Sequence, residues 1–289
     1  MPLRREIPRA NIILLLLAMN YTKCKICSST VSSYNPKLQL IRCNDCGLIF
    51  FEEHLNNYNR SLYTQLYNDG TYGQHIDQQK LIETGMQPKL GYNKSLIIRK
   101  VLSNRGELSL AELGAGVGVV AKYLAKRGYE YTGFELNEAI ALRAQSYGLN
   151  ILPVGFEGLD SYQNQFDVVL AFEVLEHIDD LGQCFGFIAK SLKVNGVIGI
   201  SVPNFEKYKN YETIQTRLFQ DKPPIHINFF TLNALSRILK YHNLEPVYLK
   251  VRPFPDLNFK SLKTYRLLGR MLMGRYYGST ILGVARKIL

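Results

Sequence analysis

With 289 residues and 46% hydrophobic content, the chain can hold one large α/β domain and one or two small appendages, and a disordered polypeptide is excluded. No apolar run reaches the roughly 18 residues of a membrane-crossing helix, so none is expected. The formal charge of +11 sits at the ends. Residues 257–289 carry Lys260, Lys263, Arg266, Arg270, Arg275, Arg286 and Lys287 with no acid, a charge of +7, and the first ten residues carry +2. Residues 11–256 are left with +2, which argues against a nucleic-acid clamp, whose basic footprint spreads over a binding face.

Arg4 and Arg5, followed by the apolar stretch Ile12 to Ala18, have the outline of a short secretory signal. No clear small-x-small cleavage site follows, and the next segment is a thiol cluster suited to a reducing, cytoplasmic setting. Met19 reads well as a start, so residues 1–18 are an extension; a membrane-touching segment and a signal are the alternatives.

Residues 19–52 contain Cys24-x-x-Cys27 and, after fifteen residues, Cys43-x-x-Cys46. This is the spacing of a zinc ribbon. Each knuckle turns two thiolates toward one ion, and two knuckles complete a tetrahedral sulfur site with no open position, so the role is structural. The spacing does not tell zinc from iron; two disulfides or four unrelated thiols are the competing reading. Val31 to Arg42 predicts a small hairpin turning at Asn35-Pro36. Cys184, the fifth cysteine, falls in a predicted helix as a small apolar residue.

Residues 53–92 are rich in tyrosine, with Tyr58, Tyr63, Tyr67 and Tyr72, and read as a linker or cap. His54 and His75 have no evident partners there.

From residue 93 to about 252, apolar runs alternate with helical stretches, the pattern of a doubly wound α/β sheet. The strand Leu108–Leu113 runs into Glu112-Leu113-Gly114-Ala115-Gly116-Val117-Gly118, and a helix follows. Glycines between a strand and a helix let backbone approach a nucleotide cofactor at the helix N-terminus. The next strand ends in Glu135, at the distance from the glycine turn where an acid accepts both ribose hydroxyls. A fourth strand runs through Ala171 and Phe172 into Glu173-Val174-Leu175-Glu176-His177-Ile178, and the turn Asn195-Gly196 delivers a fifth, ending at Pro203-Asn204.

These motifs, in this order, resemble class I S-adenosylmethionine (SAM)-dependent methyltransferases. The resemblance implies a Rossmann-like, seven-stranded sheet preceded by a small zinc ribbon. It also implies SAM as cofactor, with Glu112 holding its amino group, Gly114 and Gly116 approaching its methionine part, and Ala115 and Gly118 completing the turn. Glu135 would bind the ribose, and Ala171 and Phe172 would flank the cofactor. Only Glu157 is available for the adenine contact after the third strand. The segment Ile41 to Phe50 resembles the ribbon of bacterial methyltransferases acting on sugars and other small metabolites. Those relatives carry a His-x-x-Phe-Phe segment like His226-Ile227-Asn228-Phe229-Phe230 here. A small-molecule, sugar or glycan-precursor acceptor is therefore expected, and nucleic acid is not.

His177, just past the fourth strand, is placed to act as general base, or else packs the following helix. His226 lines the acceptor side or packs before a helix that Thr231 would cap. Glu173 and Glu176 could orient either histidine. The insertion from Pro203 to His226, with Tyr208, Tyr211, Phe219, Pro223 and Pro224, is where acceptor choice would be made. Residues 253–289 read as a basic helical tail, either an amphipathic element touching the inner membrane face or a helical pair packed on the core. Two other functions remain open: an RNA methyltransferase, disfavoured because Ala171-Phe172-Glu173-Val174 lacks an Asn/Asp-Pro-Pro motif, and a non-catalytic binding module. The atom methylated and the oligomeric state are not determined.

Overall fold

The computed structural model describes residues 23–51, 88–102, 107–208, 226–254 and 262–288. The extension 1–18, Tyr58, Tyr63, Tyr67, Tyr72, His54 and His75 of the expected 53–92 cap, Tyr211, Phe219, Pro223, Pro224 and Lys260 lie outside them.

The cysteine-bearing segment forms β1 (Val31–Asn35), β2 (Leu40–Cys43) and β3 (Ile49–Phe51). Asn35 and Pro36 make the expected turn: the Asn35 side chain accepts from Leu38 N–H, and Pro36 opens a 3₁₀ turn. Helix α1 (Tyr92–Leu102) leads into β4 (Ser109–Leu113), α2 (Val119–Leu124), β5 (Glu130–Phe134), α3 (Glu138–Ser146), β6 (Ile151–Leu152) and β7 (Phe166–Phe172). Next come α4 (Leu181–Ser191), β8 (Leu192–Pro203), β9 (Asn228–Phe229), α5 (Leu232–Tyr241), β10 (Leu244–Val251), α6 (Leu262–Leu272) and β11 (Thr280–Lys287). Cap chemistry sets the helix starts. Asn137, Asp180 and Thr231 each accept a backbone N–H of the first turn of α3, α4 and α5.

The main sheet has seven strands in the order β10-β11-β8-β7-β4-β5-β6. Strands β4 to β8 run parallel, and only β11 is reversed against its neighbours. In register, Leu113 faces Phe134 on one side and Ala171 on the other, and Phe172 faces Ser201. The carboxyl ends of β4, β5, β7 and β8 therefore finish on one edge. The chain order reverses between β4 and β7, the place where open sheets bind ligands.

The 253–289 segment differs from the expected helical tail. It supplies one helix, α6, and then β11, which enters the sheet between β8 and β10. The reason is legible in burial: Thr280 to Ala285 are buried on both faces, so this run is an interior strand and its basic residues come at the exit. A boundary at 252 would cut the sheet.

The ribbon is likewise no separate module. Its antiparallel sheet, β1-β2-β3-β9, is completed by β9, which comes from the catalytic segment just after His226. Leu48, Phe50 and three of the cysteines share one apolar cluster with Leu175, Leu181, Phe185, Phe230 and Leu235. The buried Lys25 ammonium lies 3.7 Å from Asp179, and Arg237 donates to Asp45 O at 2.6 Å. A Cβ at Gly182 would fall 2.3 Å from Lys25 O, so α4 approaches the ribbon this closely only because that residue is glycine.

Candidate active site and cysteine cluster

The glycine turn follows β4. Gly114, Gly116 and Gly118 all have positive φ (64°, 56° and 85°). A Cβ at Gly114 would lie 2.3 Å from Val174 Cγ2, whereas at Gly116 it would meet nothing within 4 Å. Gly114 is thus a packing requirement, and Gly116 leaves a clear backbone face toward the ligand edge. Ala115 is buried, and its N–H donates to Phe134 O at 3.1 Å, tying the turn to β5.

Two buried carboxylates flank this turn. Glu135 accepts Gly116 N–H at Oε2 and Asn137 N–H at Oε1, each at 2.9 Å. Burial raises its pKa, and these N–H groups partly offset the rise. Each oxygen keeps a second lone pair, so a ribose diol can still be accepted. Glu112 Oε2 accepts a hydrogen bond from the Tyr131 hydroxyl. Burial pushes its carboxyl up to about 7, against the Lys94 charge and the Tyr131 bond, with Glu135 adding to the rise.

Sequence reasoning missed Lys94. It sits in the first turn of α1, with Nζ 5.3 Å from the Phe172 ring centroid and its charge acting on both Glu112 and Glu173. A cation at a helix N-terminus opposes the macrodipole, and that unfavourable position was the available signal. The Lys94 charge favours the ionised form of Glu112 beside the glycine turn. Together with the ribose-competent Glu135, the open Gly116 face and the buried Ala171 and Phe172, these residues fit the zwitterionic and ribose ends of SAM. Glu157 stands in the 3₁₀ turn after β6.

Past β7 the backbone is unusual. Glu173 is a non-glycine residue at φ 54°, held there as its N–H donates to Ser201 O at 2.8 Å. The 3₁₀ turn Leu175–His177 follows. It is clamped to β9: Ile227 N–H donates to Glu176 O at 2.9 Å, and the buried Asn228 amide donates to Leu175 O at 2.9 Å and Ile178 O at 2.6 Å. The clamp brings together both expected histidines, with the His177 and His226 ring centroids 4.8 Å apart, edge to face. Glu176 Oε1 lies 3.9 Å from His177 Nε2. Burial, reinforced by Glu173, pushes the Glu176 carboxyl well above the usual range. Glu176 Oε2 is buried without a hydrogen-bond partner.

The four cysteines of the ribbon converge. Cys24 and Cys46 sulfurs are 3.6 Å apart, Cys27 and Cys43 sulfurs 3.5 Å, and all four lie within 4.8 Å of one another. A tetrahedral ion at about 2.3 Å from sulfur sets its ligands about 3.8 Å apart, so the cluster fits one. None is in a disulfide, and Ile26 N–H donates to Cys24 Sγ at 3.3 Å. Cys184 lies buried in α4, where burial pushes its thiol far up.

The strand order and glycine turn define the class I SAM-dependent methyltransferase fold. A methyltransferase-domain family model matches residues 88–249, and the chain belongs to that family. The ubiquinone biosynthesis O-methyltransferase of Rickettsia conorii is 28% identical over 58% of this chain and 62% of its own length, so the match spans less than two-thirds of that relative. The one from Hydrogenovibrio crunogenus is 26% identical over 75% of this chain and 88% of its own length. Among solved structures, a SAM-dependent methyltransferase from Mesorhizobium loti matches with a TM-score of 0.52 at 16% identity, covering 68% of this chain and 98% of that one. A Haloferax volcanii complex of the Trm112 methyltransferase activator with a methyltransferase matches with a TM-score of 0.55 at 17% identity, over 76% of this chain and 97% of that one. At these identities the structures speak to the fold alone.

Proposed function

We propose that this chain transfers the methyl group of SAM to a hydroxyl oxygen of a small-molecule or glycan-precursor acceptor, with the His177–His226 pair receiving the hydroxyl proton. The observation that carries this reading is the edge-to-face contact of two imidazoles at the carboxyl edge of the sheet, beside the glycine turn. When bound, SAM supplies an electrophilic methyl on a sulfonium sulfur. Lys94 and Glu112 hold the carboxylate and ammonium of its methionine end, Glu135 its ribose, and Ala171 with Phe172 its flank. A neutral imidazole can take a proton near pH 7. Burial and the neighbouring Glu173 disfavour a charge on Glu176 behind it, which weakens the pull toward an imidazolium at His177. The relatives' names, which specify O-methylation, support oxygen as the atom methylated.

In the same reading the four cysteines hold zinc as a structural ion. That ion would fix the ribbon sheet, and with it β9 and the position of His226. Chelation would therefore act on the site from a distance.

A second reading has its own observation. Glu176, His177 and His226 each offer one donor atom, all within 4.8 Å. A divalent cation there would lower the acceptor hydroxyl's pKa directly.

Incubating the full chain with SAM and a panel of phenols, catechols and sugar nucleotides, and locating the added methyl by mass spectrometry, tests the proposal. A methyl on oxygen, produced without divalent cation, supports it. Methyl on carbon or nitrogen contradicts it, and strict dependence on added magnesium or zinc selects the second reading.

A further inference from the structure

Helix α6 shows an apolar face to water as well as one to the protein. A surface helix of a globular domain turns its apolar stripe inward and its polar stripe outward. In α6 the inward side is formed by the buried Thr264 and the half-buried Leu267, Leu268 and Met271. The outward side carries Leu262, Tyr265, Leu272 and the following Met273, exposed to 76%, 56%, 90% and 62%. At 3.6 residues per turn these four fall on one stripe, with Arg266 and Arg270 on its flank. From residue 257 to the end the chain has no acid, so the charge of this stretch of sequence is wholly basic.

The position of this face is informative. Strand β11 starts opposite Pro203 and β10 ends opposite Ile281, so the excursion between them lies at the carboxyl edge of β8. The buried Asn204 side chain fastens its return, donating to Tyr277 O at 2.7 Å and Gly278 O at 3.2 Å. At its other end Phe254 packs edge-on against Tyr92, centroids 5.1 Å apart, both partly exposed, and Tyr92 lies two residues before Lys94. Exposed apolar and basic side chains thus run along the same edge as the glycine turn and the histidine pair.

We propose that α6 with its following turn docks the chain on an anionic lipid surface, Leu262, Tyr265, Leu272 and Met273 entering the headgroup boundary and Arg266 and Arg270 meeting lipid phosphates. An apolar stripe beside a basic one is the chemistry of an interfacial helix. A nucleic acid would use the cations but gain nothing from aliphatic side chains directed outward. Resting on the methyltransferase reading above, this docking turns the site mouth to the bilayer, so the acceptor is an amphipathic molecule drawn from it.

The test is co-sedimentation of the full chain with phosphatidylcholine vesicles, with and without about one-third phosphatidylglycerol. The chain is expected to sediment with the anionic vesicles only and to be released by high salt. Arg266→Glu is expected to lower the partition coefficient roughly tenfold, and the double variant Leu272→Glu/Met273→Glu to abolish binding. SAM binding by calorimetry is measured on the same samples and is expected to be unchanged, which shows that the variants fold. Failure of the wild type to sediment, or sedimentation of the double variant like wild type, overturns the proposal. So does RNA binding that depends on Arg266 in a chain that ignores vesicles. A wild-type chain that binds SAM but ignores the vesicles rejects docking alone, and one that binds vesicles without binding SAM rejects the methyltransferase reading alone.

Discussion

The imidazole of His226 stands edge-on to that of His177, centroids 4.8 Å apart, because the Asn228 amide is bonded to Leu175 O and Ile178 O on either side of the histidine turn. Two residues distant in sequence are held as one unit by a strand that belongs to the ribbon sheet. A pair that acts as a unit should respond non-additively. His177→Ala and His226→Ala are each expected to lower kcat by about 10²–10⁴. The double variant should be little worse than the poorer single, and SAM affinity should stay near wild type. Product-formation kinetics beside SAM calorimetry check this.

Asn228→Ala removes two buried amide bonds and leaves two carbonyls without them. The expected cost is about 1–3 kcal/mol per orphaned group, read as a lower thermal midpoint. The loss in kcat should exceed any change in SAM affinity, because the clamp positions the histidines and not the cofactor residues.

Glu135→Ala removes the carboxylate that anchors Gly116 and, in the proposed reading, accepts the ribose. A charge-assisted hydrogen bond contributes roughly 1.5–3 kcal/mol, so SAM affinity should fall about ten- to hundredfold. Gly114→Ala should do as much by a different route, since its Cβ would collide with Val174 at a residue with φ 64°. Isothermal calorimetry with SAM measures both.

In the proposed reading, Glu112 makes SAM binding pH-dependent. Its folded pKa is raised to about 7 from 4.5, so the native state binds a proton that the unfolded state has lost between those values. Stability contributed by the protonated form is present below the unfolded pKa and is lost as pH rises through about 7. The ammonium of SAM needs the ionised carboxylate. Affinity should therefore climb as pH rises through 7 while the thermal midpoint of the free protein falls. Glu112→Gln should flatten both trends and weaken SAM binding, as followed by calorimetry and melting between pH 5.5 and 8.

In the proposed reading, removing a metal held by the four cysteines should be felt at the site. Elemental analysis is expected to find one zinc per chain. Chelation, or Cys43→Ser, should lower the thermal midpoint and increase amide exchange in Asn228–Phe230, which pair with or adjoin β3. A chain that keeps full protection there without metal would show that the apolar seam alone holds β9.

Much of this was legible in the sequence. The glycine turn, Glu135 and the two Cys-x-x-Cys knuckles are local patterns whose chemistry depends on short spacing. Thr231 and Asn35-Pro36 took the cap and turn positions that their side chains favour. What was hidden depends on distant pairing. Strand β11 was masked by the basic charge around it, although Thr280 to Ala285 are buried throughout. The addition of β9 to the ribbon sheet joins residues nearly two hundred positions apart, and no local periodicity announces that. Lys94 lies in an otherwise ordinary helix, and only the packing of that helix on the sheet brings its charge to act on Glu112.

The most direct test of the central claim is incubation of the purified chain with methyl-labelled SAM and a bacterial extract, followed by fractionation of the products. The expected result is label in a small-molecule or glycan-precursor fraction, resistant to ribonuclease and absent with Glu135→Ala. Label in ribonuclease-sensitive material, or no label together with no SAM binding, would contradict it.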